Sequence, residues 1–493
     1  MTHFIRLGIC QTDRTMVILG QNIRLATADG DLALFNNISA RTFLSWNKFC
    51  SLFLVATYLM TTQAALSQNR RIAIVRDAEI ESLLKDYATP IFNVAGLKSK
   101  GIDIVLVNDS SYNAFVSGRR VFMNTGAIMQ AETPNEIIGV LAHEAGHLAG
   151  NHQERLRDQL DRSKTLAIVG MLLGAGALVA GSTSGSQGTS EAAAGIIASA
   201  PGLASRSLLS YKRSEEVNAD AAALKYLNKT KQSAKGMLVT FDRFSRQLAL
   251  AGVRPDPYRL SHPLPRERIS LLETNASKSP YFGKRDSNQL QFRHDMVRAK
   301  IAAFSGGAPA VARMFKSAPN SLPAAYGQAI SLDNAGRSKQ ALTLLNKIIK
   351  KKSKNPYLYE LRGELELKLR KSDAAAKSFA RAVKLDRHNS GLIKARLGFA
   401  YVATGKKSNA KKAVSALKSG LQSNPNNFNA YRTLSNAYAL TGDIGQAELA
   451  MAEGHFRAGN SRDSKIFAGR ALQKLPTGKP SWQRAKDILT VGQ

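Results

Sequence analysis

Residues 133–150 read TPNEIIGVLAHEAGHLAG, and the way this stretch winds decides the fold. Thr133-Pro134-Asn135-Glu136 has the features of a capping box: Thr at the N-cap, Pro at the first helical position and Glu at the third. Ile137, Ile138, Val140, Leu141, Ala145 and Leu148 follow at helical spacing and supply an apolar face. At about 100° per residue, His143 and His147 fall on nearly the same side of the helix so predicted. Two imidazole nitrogens can then meet one zinc ion, with Glu144 beside them to handle a water proton. Gly146 costs a helix roughly 1 kcal/mol against Ala, so a glycine there points to another backbone, or a substrate, passing close by. The alternative is a helix that merely carries two surface histidines. With only eight histidines in 493 residues, a chance pair at this spacing is the weaker reading.

Catalytic zinc takes three protein ligands and leaves a fourth position open. The pattern H-E-x-x-H-x-x-G-x-x-H would need Gly at 150 and His at 153. Gly150 is present, but residue 153 is Gln and His152 comes one residue early, so that scheme fails. A second scheme draws a carboxylate from a downstream helix. Ser214-Glu215-Glu216-Val217-Asn218-Ala219-Asp220 runs into Ala221-Ala222-Ala223, and Glu216 and Asp220, four apart, share a helix face. Glu216 can complete a zinc site while Asp220 hydrogen-bonds a ligand histidine and fixes its tautomer. Glu215 reads as an acidic first turn that complements the helix dipole.

Taken together, His143-Glu144-x-Gly146-His147 and Glu216-x-x-Ala219-Asp220 resemble the gluzincin metallopeptidases of the CAAX prenyl protease, HtpX and BepA group. Asn113-Ala114-Phe115 with Gly118, and His262-Pro263-Leu264-Pro265 with Arg268, belong to the same resemblance, which covers residues 75–275. It implies that His143, His147 and Glu216 ligate one Zn2+ per chain, that Glu144 is the general base, and that Asp220 supports the site. His262 matches a histidine that in BepA-like members can approach the zinc and hold the enzyme inactive. Arg268 matches a position that assists near the active site. By its residues alone, His262 before a proline is an extended-chain histidine. The implied fold is an α+β zincin-type domain, mostly helical with a small sheet. Ile102–Val107 and Val121–Met123 read as strands, and an edge strand of such a sheet can pair with an extended peptide substrate. That geometry reads backbone more than side chain, so low sequence specificity is expected.

At 493 residues the chain should hold two or three domains. Residues 1–40 match no signal or folded element. Residues 41–67 have the layout of a secretory signal: Arg41 and Lys48, the apolar run Phe49–Met60, then small residues through Ala64-Ala65-Leu66-Ser67. An uncleaved N-terminal anchor is the alternative. The two cysteines, Cys10 and Cys50, precede that cleavage site, so a processed chain has neither a disulfide nor a thiolate for zinc. The formal charge is +33. On an exported protein with no nucleic-acid recognition motif, a field of that size suits an anionic membrane surface rather than DNA or RNA.

The peptidase domain is expected over 68–275, with an apolar insert at 165–205. No charge occurs between Lys164 and Glu191, nor between Glu191 and Arg206. The insert reads as a buried helical hairpin over the active site, as a lid dipping into a membrane, or as a true span. Residues 276–320 are expected to connect the domains through helices such as His294–Phe304. From 321 to 493 the chain repeats itself at a period of 34–37. Small residues recur at Gly363, Gly398 and Ser435, tyrosines at Tyr401 and Tyr438, and alanines at Ala375, Ala410 and Ala447. This is the tetratricopeptide arrangement, small where helices cross and large between, and about four repeats are expected in an α-helical solenoid. The stretch carries 31 basic and 11 acidic residues, an excess suited to an acidic partner or surface.

The function expected from the whole is a zinc metalloendopeptidase of the bacterial cell envelope that acts in protein quality control. It would be periplasmic or peripheral to the outer membrane, or anchored to a membrane and facing the periplasm. Its partners would be misfolded or unassembled envelope proteins and, through the repeats, outer-membrane assembly machinery. The competing readings are a chaperone or scaffold with a latent protease site, and a membrane-embedded peptidase of the prenyl-protease branch.

Overall fold

The computed structural model describes residues 73–97, 101–162, 164–165, 168, 209–250, 262 and 266–491. The N-terminal extension, the expected signal or anchor at 41–67 and nearly all of the apolar insert lie outside the described residues. Strands β1 (Ile74–Val75), β2 (Asp103–Val107), β3 (Ala114–Ser117) and β4 (Arg120–Asn124) form one four-stranded sheet in the order β1-β2-β4-β3. β2 runs parallel to β4, with Asp103 opposite Arg120 and Val107 opposite Asn124; β1 and β3 pair antiparallel with their neighbours. The two strands read from sequence are thus both central. The edge nearest the motif helix belongs to β3, which is too short for alternation to register. Gly118 takes φ 58° in the two-residue turn that joins β3 to β4, a conformation glycine adopts without the Cβ penalty.

Helix α1 (Ala78–Val94) is capped by Asp77, whose carboxylate accepts the Ile80 N–H at 2.9 Å. After α2 (Thr125–Gln130) comes the motif helix α3 (Pro134–Ala149). Its start is held by the Glu136 carboxylate, which reaches back to the Thr133 N–H at 2.9 Å and is itself paired with Arg243 at 2.7 Å. Every residue of α3 from Pro134 to Gly146 is buried. Ile137, Ile138 and Leu141 pack in one core with Leu83, Leu84 and Met123. Burying each such Leu or Ile contributes roughly 1.5–3 kcal/mol, so the helix carrying the histidines is fixed by the centre of the domain. Residues 152–162 form α4 and residues 209–229 form α5, both helical in the described portion. Helices α6 (Lys235–Leu250) and α7 (Arg266–Ser277) complete the domain.

Helix α8 (Asn288–Met314) spans the expected connection and bends at Gly307, φ 62°. Val297 and Ile301 enter the core of the α+β domain, while Met296, Ala299 and Ala302 enter a second core with the first repeat. Between these faces, the buried Lys300 ammonium lies 2.8 Å from Glu79 and 3.0 Å from Asp77, and the Tyr326 hydroxyl donates to Glu79 at 2.9 Å. The two domains are therefore riveted by charge as well as by apolar burial.

Five helix pairs follow among the described residues: α9/α10 (Leu322–Asn334, Ser338–Lys351), α11/α12 (Pro356–Lys368, Ser372–Leu385), α13/α14 (Gly391–Ala403, Lys407–Ser423), α15/α16 (Phe428–Thr441, Ile444–Arg457) and α17/α18 (Ser461–Leu472, Pro480–Thr490). This is one pair more than the four or so read from the periodicity, a count that included a degenerate first repeat near Ala325–Ile349 and a terminal one near Gly459–Leu475. A Cβ on Gly363 would meet the Phe379 ring at 2.6 Å, and one on Gly398 would meet Leu417 at 2.4 Å. Small residues thus sit where helices cross. The architecture is an α+β domain followed by an α-helical tetratricopeptide solenoid. Among the described residues, no helix is long and apolar enough to cross a membrane.

Candidate metal centre

Three elements meet at the site: α3 with His143, Glu144 and His147, α5 with Glu216 and Asp220, and the stretch around α7 with His262 and Arg268. Close passage of α3 and α5 depends on Gly146, since a Cβ there would lie 2.8 Å from the Ala219 carbonyl oxygen and 2.9 Å from its Cα. The glycine is thus answered by another backbone. Across this contact, His143 Nε2 and His147 Nε2 lie 3.0 Å apart, and the Glu216 oxygens lie 3.3 Å from each. His262 Nδ1 is 3.0 Å from Glu216 Oε1 and 3.3 Å from His143 Nε2. One donor atom from each of His143, His147, Glu216 and His262 falls within 4.8 Å of the others.

The outer contacts settle how these donors are oriented. His143 Nδ1 donates to Asp220 Oδ1 at 2.9 Å, which leaves its Nε2 lone pair facing inward. Arg268 grips Asp220 through Nε at 2.6 Å and Glu216 through Nη1 at 2.8 Å. Glu144 is fully buried, and among the described residues neither of its carboxylate oxygens accepts a hydrogen bond, His262 Nε2 standing 3.5 Å from Oε1. A buried carboxylate that accepts no hydrogen bond from the described residues, next to converging nitrogen lone pairs, suits a cation at their centre. The residues present therefore fit a divalent metal ion.

Electrostatics agree with this. Burial lowers the basicity of His143, but the Asp220 and Glu216 carboxylates outweigh it and lift the imidazole to about 10. Burial raises Glu216, yet His262 and the two motif histidines hold it well below the usual carboxylate range. Burial also raises Asp220, and His143 and Arg268 bring it below its ordinary value. A field that binds a proton this firmly also binds a divalent cation, which displaces the proton.

All seven residues singled out in the sequence come together here. Two others do as well, and a third lies at the edge of the sheet. His152 Nδ1 is 2.9 Å from His147 Nδ1, and Glu215 Oε2 is 2.8 Å from His152 Nε2. Glu215 is buried, so its role is not that of a solvated first-turn acid. Gln153, at the place of the absent third histidine, accepts the Gly118 N–H at 3.0 Å and donates to the Val116 carbonyl. Its amide thereby covers part of the outer edge of β3.

Residues 75–276 match the profile of Peptidase family M48, and residues 324–437 match a domain of unknown function, DUF7017. The chain is 25% identical over 352 residues to the beta-barrel assembly-enhancing protease of Yersinia pestis, covering 71% of this chain and 70% of that protein. It is 22% identical over 399 residues to the protein of the same name from Escherichia coli K12, covering 77% of this chain and 76% of that one. Among solved structures, the MamA protein aligns with a TM-score of 0.29 at 18% identity, over 34% of this chain and 94% of that one. YrrB, a TPR protein with an unusual peptide-binding site, aligns at 0.30 and 15%, over 36% and 91%. Those two scores are too low to carry an argument, and the repeat fold rests on the helix pairs themselves. A family match that spans α1 to α7 and encloses this donor set makes residues 75–276 a peptidase family M48 domain, and the chain a metallopeptidase.

Proposed function

We propose that this metallopeptidase is a zinc-dependent endopeptidase of the bacterial cell envelope, working in the quality control of proteins whose assembly has failed. The observation that carries the reading is the convergence of His143, His147 and Glu216 beside the buried carboxylate of Glu144. These three residues would hold one Zn2+, the ion that two imidazoles and a carboxylate suit. When bound, the ion supplies Lewis acidity, making water acidic and polarising the scissile carbonyl. Glu144 takes the proton of the attacking water and delivers it to the leaving amine. Asp220 keeps His143 in the tautomer that leaves Nε2 free, and Arg268 holds Asp220 and Glu216 in place. An extended substrate would pair with the edge of β3, which supports low sequence specificity.

The names of the two relatives refer to β-barrel assembly. For this chain we take unassembled or misfolded envelope proteins as the substrate class. The repeats would dock the enzyme on outer-membrane assembly machinery, and the positive charge would favour an anionic membrane surface. Residues 68–275 would serve as the peptidase domain, 276–320 as its connection and 321–493 as the docking domain. The test is casein cleavage by wild type and Glu144→Gln. Loss of about 10²–10⁴-fold is expected from removing a general base, with zinc content unchanged. Cleavage by the variant at the wild-type rate would contradict the assignment.

One observation favours a second reading, in which the protease is latent and the chain acts as a chaperone or scaffold. His262 takes a fourth donor place against Glu216 and His143, where substrate or water would need to enter. His262→Ala should raise cleavage if this contact holds the site shut. An unchanged or lower rate would remove that reading.

A further inference from the structure

Each motif histidine has two ring nitrogens, and one that binds metal through Nε2 keeps its proton on Nδ1. The His143 proton goes to Asp220. The corresponding partner of His147 is another imidazole, His152 Nδ1, at 2.9 Å. A nitrogen–nitrogen contact this short needs one hydrogen between the two atoms. With the proton on His147 Nδ1, His152 accepts at Nδ1 and carries its own proton on Nε2. His152 Nε2 lies 2.8 Å from Glu215 Oε2, an ion-pair distance at which the carboxylate favours the proton on that nitrogen, and Arg155 lies 3.3 Å from the same oxygen. His152 and Glu215 are both buried, so water does not compete for these contacts.

The geometry points to His152 and Glu215 as positioning residues that fix the tautomer and ring orientation of His147, a counterpart to the pairing of Asp220 with His143. The inference rests on the reading of His147 as a metal ligand. It assigns a role to two neighbours of the motif that neither the family match nor the peptidase mechanism uses. The break between the two helices makes it possible. In an unbroken helix, residues five apart lie about 140° around from each other. Here α3 ends at Ala149, Asn151 turns with φ 51°, and α4 begins at His152, which returns the ring to the outer side of His147. The adjacent acids of α5 then divide the work: Glu216 points to the metal position and Glu215 to the relay.

The experiment compares zinc affinity, by competition with a chromophoric chelator, and the rate of zinc loss to EDTA. It uses full-length wild type, His152→Leu, His152→Asn, Glu215→Gln and His147→Ala, with thermal unfolding of each metal-free protein alongside. His152→Leu has no acceptor, whereas the Asn Oδ1 falls near the position of His Nδ1. Partners of this kind are worth about 10–100-fold in metal affinity. His152→Leu is expected to lose that much and to release zinc faster. His152→Asn should recover most of the loss, and Glu215→Gln should fall between Leu and wild type, with unfolding of the metal-free proteins little changed. Wild-type affinity in His152→Leu, or equal loss in Leu and Asn, would overturn the relay. Should His152→Leu fail to fold, wild-type zinc release from Glu215→Gln and His152→Asn alike would overturn it as well. Retention of full zinc by His147→Ala is a separate result: the metal-centre reading itself would fall, and the relay with it.

Discussion

Arg268 holds Asp220 with two nitrogens, Nε 2.6 Å from Oδ2 and Nη2 2.9 Å from Oδ1, and both residues are buried. Its remaining nitrogen reaches Glu216 at 2.8 Å. The arginine therefore neutralises two interior carboxylates that belong to one helix and aims both of them. Arg268→Ala would leave them uncompensated, a change that costs about 3–5 kcal/mol for a buried pair. Arg268→Lys offers a single point of charge and cannot bridge both acids, so it should rescue stability only in part. Urea unfolding of the three proteins checks this. Equal midpoints would mean that the arginine does not anchor the site.

Gly146 permits the contact between α3 and α5 on which the ligand set depends. A side chain at this position collides with backbone of Ala219, which cannot rotate away. Gly146→Val is expected to destabilise the protein by about 1–3 kcal/mol through overpacking, despite the better helix propensity. Because Glu216 lies three residues from Ala219, the separation should also weaken zinc binding. Isothermal titration with zinc on the folded variant reads this out, and wild-type affinity would refute the link between helix spacing and ligand geometry.

His294 lies in the interior of α8. Its Nδ1 accepts from the Tyr87 hydroxyl at 3.0 Å, and its Nε2 donates to the Ala131 carbonyl at 2.9 Å. Burial pushes this imidazole down to about 3, whereas an unfolded histidine titrates near 6.5. Between those values the unfolded chain takes up a proton that the folded chain refuses, so stability falls as pH drops through this window. From pH 6.5 to 5 the loss amounts to about 2 kcal/mol. His294→Gln should be less stable at pH 7 but should lose less on acidification, narrowing the gap by about that amount. Parallel stability–pH curves would contradict the assignment.

The motif helix was legible because local and global signals agree there. Thr133, Pro134 and Glu136 start it, and Ile137, Ile138 and Leu141 bury one face of it. Glu216 and Asp220 were legible because a spacing of four survives any placement of their helix. β3 escaped detection because four residues give too little alternation. His152 and Glu215 were missed for a different reason: one sits beyond a helix break that changes its angular position, and the other looks the same as a solvated acid until α4 covers it. The repeats were visible through Gly363, Gly398 and Ser435, small residues at crossings.

The most direct test is the metal content of purified wild type and Glu216→Ala after dialysis, read by plasma mass spectrometry. One zinc per chain in wild type and a clear deficit in Glu216→Ala are expected. Full zinc in Glu216→Ala, or none in wild type refolded with zinc, would contradict the ligand set on which the account stands.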